Sequence, residues 1–314
     1  MPDTVIALLA GFGLDLLLGD PEWLYHPVRL IGKLISFTEK RLRARGGNLR
    51  VGAVALTAST VLITMAVVAA LLGVLSRLGR APLLIGMALL DWMGLAVTSL
   101  AKEARGVEKA LGESLEAGRG RVARIVGRDT QALSEEEVVK ATVETVAENT
   151  TDGVISPLIY AAIGGPVLLW GFKAASTLDS MVGYLDEKYR DIGWSSARLD
   201  DLLNYVPARL TALLMCAAAL PAGLDARNAW RVVRRDHANH KSPNCAWSEA
   251  AAAGALHIQL GGTHTYFGKS VFKPTIGDAD RPAVRGDIAR ANRLLYGASL
   301  LALGLIAVAG WLLA

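Results

Sequence analysis

Four stretches of this sequence concentrate oxygen and nitrogen groups at spacings that suit chemistry on carboxylates and phosphates. Residues 148–153 run Glu-Asn-Thr-Thr-Asp-Gly. Glu148 and Asp152 stand four apart, so on a helix or helix terminus both carboxylates face one way and could share Mg²⁺, a hard ion that prefers oxygen ligands and often arrives with phosphate. The alternative is structural, with Asn149 or Thr150 capping a helix end. Residues 176–209 are equally loaded, with Asp179, Tyr184, Glu187 and Arg190, then Arg198, Asp200, Asp201 and Asn204. Acids beside arginines hold metal and phosphate, or else make a salt-bridged surface. Arg198 and Asp201, three apart, suit an ordinary helix ion pair. The first loop carries Gly19-Asp20-Pro21-Glu22-Trp23, where Asp-Pro signals a turn, and then His26-Pro27-Val28-Arg29. His26 has the titration range for proton transfer, or it serves as a loop histidine with a structural hydrogen bond. The last loop supplies Asn244, Trp247 and Glu249.

Several other chemistries are excluded. His237 and His240 lie three apart with no cysteine or carboxylate to complete a zinc set. Gly268-Lys269-Ser270 invites a phosphate-loop reading, but five residues rather than four separate Gly262 from Gly268 and no buried strand precedes them. No Gly-x-Ser-x-Gly occurs. Cys216 and Cys245 sit in unlike surroundings, so neither a disulfide framework nor a cysteine-based metal site is expected.

The elements that must position these groups are mostly apolar. Of 314 residues 52% are hydrophobic and 20% charged, which excludes a disordered chain, and no basic, aromatic-interleaved stripe suggests nucleic acid. Thirty-three basic residues against 29 acidic leave +4, banked between long uncharged runs. Runs at 51–76 and 294–314 carry no charge and exceed the roughly 20 helical residues that a bilayer core requires. Residues 81–101, interrupted by Asp91, and 4–18, containing Asp15, are two further spans whose carboxylates should face the protein interior. Two runs are ambiguous: 154–178 has Gly164-Gly165-Pro166 at its middle, and 210–224 is short. Each is a kinked crossing or a re-entrant segment. The expectation is an all-α, polytopic helical membrane protein, one integral membrane domain over 1–314, with four to six membrane segments and large cytoplasmic helical loops.

Residues 20–50 hold seven Lys or Arg against three acids and residues 225–293 eleven against six, which places both on the cytoplasmic side. If both ambiguous runs cross, 179–209 is external; if both are re-entrant, 102–293 stays inside. Met1-Pro2-Asp3 lacks the basic start of a signal peptide, so the first apolar run is expected to be retained. Residues 102–153 read as amphipathic helices, with Ser134 and Glu137 in capping-box register before a helix that should present Glu144 and Glu148 together.

The ordered segments Leu14 to Pro21, His26 to Gly32, Glu148 to Pro157, Leu178 to Gly183 and Arg198 to Asn204 resemble the CobD/CbiB family of cobalamin biosynthesis, the adenosylcobinamide-phosphate synthases. Ser242-Pro243-Asn244, Glu249-Ala250-Ala251 and Tyr266-Phe267-Gly268 extend the likeness across nearly the whole chain. Tyr25, Leu185-Asp186, Cys245 and Ser248 depart from the family pattern.

The resemblance implies an inner-membrane enzyme with a cytoplasmic site that joins the propionate carboxyl of adenosylcobyric acid to (R)-1-amino-2-propanol or its O-phosphate. ATP would be the cosubstrate with Mg²⁺, and neighbouring cobalamin-assembly enzymes are possible partners. On that basis Glu148, Asp152, Asp179, Asp200 and Asp201 are expected at the metal. Asp20, Arg29, Asn149, Thr150, Thr151, Tyr184, Arg190, Arg198, Asn204, Asn244 and Glu249 are expected at substrate. His26, Glu187 and Glu148 are the expected catalytic groups. Trp230, Trp247 or Tyr266 could lie against the corrin. The alternative is a membrane transporter or carrier, suggested by Asp15, Asp91 and the broken 154–178 run.

Overall fold

The structure is a computed structural model that describes every residue except Glu22, Leu185, Phe267 and Ala314. Those positions of the first-loop, Leu185-Asp186 and Tyr266-Phe267-Gly268 motifs therefore lie outside the described residues. Thirteen helices and one two-stranded antiparallel hairpin are described, and the backbone gathers into two compact units. Unit 1 comprises residues 1–96, 156–204 and 303–314; unit 2 comprises 97–155 and 205–302.

Unit 1 is built on α1 (Asp3–Leu18), α2 (Val28–Arg45), α3 (Leu49–Arg77), α4 (Arg80–Gly94), α8 (Ser156–Val182) and α9 (Trp194–Leu203). α1 and α4 approach closely because Gly11 has no side chain: a Cβ there would lie 2.8 Å from the Ala88 carbonyl and from Asp91 Cβ. Membrane helices use small residues in this way to bring backbones together. Gly11→Leu is expected to lower the melting temperature in detergent, through an overpacking cost of about 1–3 kcal/mol. An unchanged melt would show that α1 can shift freely. The two buried indoles of this unit are both satisfied, Trp92 Nε1 donating to the Gly19 carbonyl at 2.9 Å and Trp170 Nε1 to that of Leu90 at 3.1 Å. α8 breaks at Gly164 and Gly165, whose φ is +61°, just before Pro166. This is the interruption that the sequence placed at the middle of the 154–178 run.

Unit 2 contains α5 (Val97–Glu113), α6 (Leu115–Val122), α7 (Glu135–Thr150), α10 (Tyr205–Ala219), α11 (Ala226–Asp236), α12 (Cys245–Leu256) and most of α13 (Gly286–Leu312), with β1 (Leu260–Tyr266) paired to β2 (Lys269–Ile276). α7 starts at the expected capping box: the Glu137 amide donates to Ser134 Oγ, and Glu137 Oε2 accepts from the Ser134 amide at 2.7 Å. Alanine-rich α12 is the buried centre. Its Gly254 lies against the Asn228 carbonyl of α11, where a Cβ would fall at 2.7 Å.

Four helical stretches are long and apolar enough to cross a membrane: Leu49–Arg77, Arg80–Glu113, Glu135–Val182 and Gly286–Leu312. Trp194–Leu203 with Tyr205–Ala219, broken at Asn204, would make a fifth. The 16 residues of α1 reach only about 24 Å at 1.5 Å per residue, short of a hydrocarbon core of about 30 Å. The chain is thus a multi-pass helical membrane protein. The hairpin is an addition that the sequence reading did not include.

Candidate functional site

Unit 2 holds a polar cavity of about 250 Å³ whose lining includes Arg128, Glu144, Glu148, Asn149, Glu249, Tyr266 and Lys273. Three elements supply it, together with the connection before α7 that carries Arg128. α7 is amphipathic, and its spacing brings Glu144 and Glu148 to the same side, one turn apart. α12 contributes Glu249 from within its alanine run. The hairpin alternates, so His264 on β1 and Lys273 on β2 turn inward while Thr263 and Phe272 stay outside.

The charges in this cavity are arranged as opposed pairs. Arg128 Nη2 donates to Glu144 Oε2, and the other Glu144 oxygen accepts from the Gly261 amide at 2.8 Å. Both side chains are nearly sequestered, at 7% and 10% exposure. Arg128 Nη1 reaches His264, 2.6 Å from Nδ1. Burial, and then the adjacent Arg128 charge, hold His264 down to about 4, so at neutral pH the ring is an uncharged acceptor. Glu249 is pushed well above the usual carboxylate range, first by burial and then by Glu144 and Glu148. Burial alone would lower Lys273, but Tyr266, Glu249 and Glu144 outweigh it and hold the ammonium above its usual value.

His264 makes stability depend on pH. The unfolded chain takes up this proton near 6.5 and the folded chain only near 4, so the unfolded state binds more protons between those values. Stability should therefore fall as pH drops from about 6.5 to about 4 and level off below. Melting temperatures of His264→Asn across that range should show a flatter slope than wild type; an identical slope would clear His264 of the effect.

The 148–153 motif straddles the end of α7 and a π-helical turn, Thr151–Ile155. One extra residue per turn is uncommon inside helices and tends to mark functional positions. Glu148 Oε1 accepts from the Cys245 thiol at 3.4 Å. Burial first, then Glu148, Glu249 and Asp152, push that thiol well up, which places both motif carboxylates in its vicinity. Asn149 lines the cavity, its amide donating to the Thr145 carbonyl at 2.9 Å. Thr150 is fully buried, its hydroxyl donating to the Val146 carbonyl at 2.7 Å, so it serves the helix and not the cavity. The Thr151 hydroxyl oxygen is buried and has no hydrogen-bond partner among the described residues.

Asn244 stands at the start of α12, its Oδ1 accepting from Arg209 at 3.4 Å. Arg209 stacks between the rings of Tyr205 and Trp247, and Trp247 also meets His237 at 4.4 Å between ring centres. The Trp247 ring is thus already engaged. Trp230 is exposed on α11, and Tyr266 lines the cavity.

The remaining sequence-predicted residues belong to unit 1. His26 Nδ1 accepts from the Val28 amide at 3.2 Å, and burial lowers the ring below its usual value, with Lys173 acting the same way and Asp20 opposing. A neutral imidazole that accepts at Nδ1 carries its proton on Nε2, and the ring also has a hydrogen bond with the Met93 backbone. Arg29 lies over the Tyr25 ring at 4.7 Å. Asp179 sits where Gly183 leaves room, since a Cβ at Gly183 would collide with its carboxylate. Tyr184 packs 6.0 Å from Tyr189, and Glu187 and Arg190 are exposed in the same connection.

Asn204, expected at substrate, is buried and accepts from Ser156 Oγ at 2.6 Å while donating to Asp200 at 3.1 Å. It fastens α9 to α8. Arg198 is exposed on α9, one turn before Asp201.

Of the five expected metal carboxylates, Glu148 and Asp152 belong to unit 2 and Asp179, Asp200 and Asp201 to unit 1. Among the described residues no group of three or more His, Cys, Asp or Glu side chains is placed to hold a metal ion. Glu148 with Asp152 still suits a nucleotide-bound Mg²⁺, which takes one or two carboxylates and completes its shell with phosphate and water. Arg128, His264, Lys273 and Arg209 were missed from sequence. Only the period-two alternation of 269–276 could have pointed Lys273 inward.

A family model described as CobD/CbiB protein matches residues 8–295. The chain is 51% identical to "Cobalamin biosynthesis protein CobD" of Geobacter metallireducens, over 98% of this chain and 97% of that one. It is 47% identical to "Cobalamin biosynthesis protein CobD" of Listeria monocytogenes over 93% and 94%, and 47% identical to "Cobalamin biosynthesis protein CbiB" of Salmonella arizonae over 98% of each. No solved structure matches. With likeness of this extent on a multi-pass helical scaffold, the chain belongs to the CobD/CbiB family and serves cobalamin biosynthesis.

Proposed function

We propose that the protein is an amide-forming ligase of the inner membrane, with its site on the cytoplasmic side. It joins the propionate carboxyl of adenosylcobyric acid to (R)-1-amino-2-propanol or its O-phosphate, at the expense of ATP with Mg²⁺. The observation that carries the reading is the unit 2 cavity, where Arg128 and Lys273 oppose Glu144, Glu148 and Glu249. A carboxylate is inert to amines near neutral pH until one of its oxygens becomes a leaving group. In the activating step that oxygen attacks a phosphorus of ATP and ADP or pyrophosphate departs. The amine nitrogen then attacks the acyl carbon, phosphate or AMP leaves with the electron pair of the broken bond, and the amine loses a proton. A site for this must neutralise phosphate and hold an ammonium-bearing partner at once, mostly by preorganised charge.

In this reading Glu148 and Asp152 hold Mg²⁺, which when bound supplies charge neutralisation at the phosphates. Lys273 meets phosphate oxygens, and Arg128 is kept in place by Glu144. Glu249 lines the same cavity, and Glu148 receives the proton that the amine loses. At about 250 Å³ the cavity suits small polar groups and lies below the usual range for whole ligands, so it would take phosphate or the amine and leave the corrin ring outside.

The test is direct: purified protein with adenosylcobyric acid, either amine and Mg-ATP should yield adenosylcobinamide or its phosphate by mass. ADP would identify an acyl phosphate, AMP an acyl adenylate. No product with either amine, from folded protein that binds the corrinoid, would sink the ligase.

One observation favours a carrier instead. Asp91 lies inside an apolar span, and both its carboxylate oxygens are buried without a hydrogen-bond partner among the described residues. Intramembrane acids of this kind commonly line transport paths. Corrinoid flux into proteoliposomes without ATP turnover would support that reading.

A further inference from the structure

The second helix of unit 1 separates two unlike surfaces. On one flank Leu30, Ile31 and Leu34 join Val67, Leu71 and Trp170 to form an almost wholly apolar slot of about 420 Å³. The slot borders the exposed flank of α3, where Val67 is 62% exposed. α3 is long and apolar enough to span a membrane, in which that flank would meet hydrocarbon. On the other flank Arg29, Lys33, Ser36 and Lys40 line an open groove of about 430 Å³. Among the described residues no carboxylate pairs with Arg29, Lys33 or Lys40, whereas Arg43 on the same helix is already taken by Glu39 at 2.8 Å. Arg29 and Lys33 instead lie 4.7 and 5.3 Å from the Tyr25 ring centre.

A helix with apolar side chains on one face and cations on the other lies in the interfacial plane, and a cationic cluster next to a span draws anionic headgroups. A free phosphate would satisfy the groove and leave the slot empty. A neutral lipid would fill the slot and leave three cations uncompensated. A molecule with both a hydrocarbon chain and a phosphate diester satisfies the two together. We propose that α2 carries a binding site for an anionic phospholipid, with its headgroup against Arg29, Lys33 and Lys40 and one acyl chain in the slot beside Trp170. This site is separate from the unit 2 cavity and does not depend on the ligase reading.

The probe is phosphatidylglycerol, compared with phosphatidylcholine, in nanodiscs and by native mass spectrometry of the detergent-released protein. Wild type should retain phosphatidylglycerol and melt at a higher temperature in its presence than in phosphatidylcholine alone. The Lys33→Ser, Lys40→Ser double variant should keep its melt in phosphatidylcholine and retain phosphatidylglycerol about thirtyfold less well, each surface lysine contributing a factor of about five. Val67→Trp, which fills the slot without touching charge, should weaken retention as well.

Equal melting in the two lipids would overturn the proposal. So would an unchanged phosphatidylglycerol effect in the double variant. Inorganic phosphate reproducing the full shift in detergent would overturn it too, by showing a simple anion site.

Discussion

Glu148→Ala should lower turnover at least about a hundredfold with Mg-ATP, adenosylcobyric acid and amine all saturating, and Asp152→Ala should do the same, a loss typical of removing charge stabilisation that acts at the transition state. These carboxylates flank the start of the π-helical turn, and Glu148 opens on the cavity. If they seat Mg²⁺ with nucleotide, the apparent Mg²⁺ requirement should rise in Asp152→Asn before activity disappears. Glu148→Gln, which keeps the volume and can still accept from the Cys245 thiol, separates charge from packing. Near-normal turnover in both alanine variants, with unchanged melting, would remove the metal and base assignments together.

Arg128→Met should be the most destabilising single change in unit 2, by about 3–5 kcal/mol, because it strands a buried carboxylate. Glu144 would then keep the Gly261 amide as its hydrogen-bond donor, and the hairpin would lose one of its anchors on α7. Arg128→Met with Glu144→Leu should recover most of the loss, since replacing both partners leaves no uncompensated charge. Equilibrium unfolding of the two variants measures the difference. A loss below about 1 kcal/mol in the single variant would class the pair with solvent-screened surface pairs.

What could be read from the chain follows the range over which each signal acts. The capping box at Ser134 and the shared side of Glu144 and Glu148 depend on residues three and four apart, and both are found as spacing requires. The uncharged run at 51–76 and the break at Gly164-Gly165-Pro166 are also local. The cavity itself is not. Arg128 and Glu144 are 16 positions apart, and Gly261 is 117 from Glu144, so their meeting depends on the packing of α7, α12 and the hairpin.

Residue type also misleads where one polar group can serve two ends. Asn204 and Thr150 look like ligand-binding side chains, yet both spend their polar atoms inside the fold. His26 is placed in a polar loop as expected, and its Nδ1 accepts from the amide two residues on. The strands were missed because their Gly and Thr content resembles a loop as much as an edge hairpin.

The surroundings of Cys245 bear on how the membrane arrangement can be mapped. Thiolate is the species that attacks maleimides and oxidants, and a thiol held protonated among Glu148, Glu249 and Asp152 offers little of it. Cys216, the other native cysteine, is buried. Reporter cysteines placed one at a time in the 179–193 connection can therefore be labelled from either side of the bilayer against a silent wild-type background. The side that reacts would choose between a crossing and a re-entrant 154–178 segment without first stripping the protein of its own thiols.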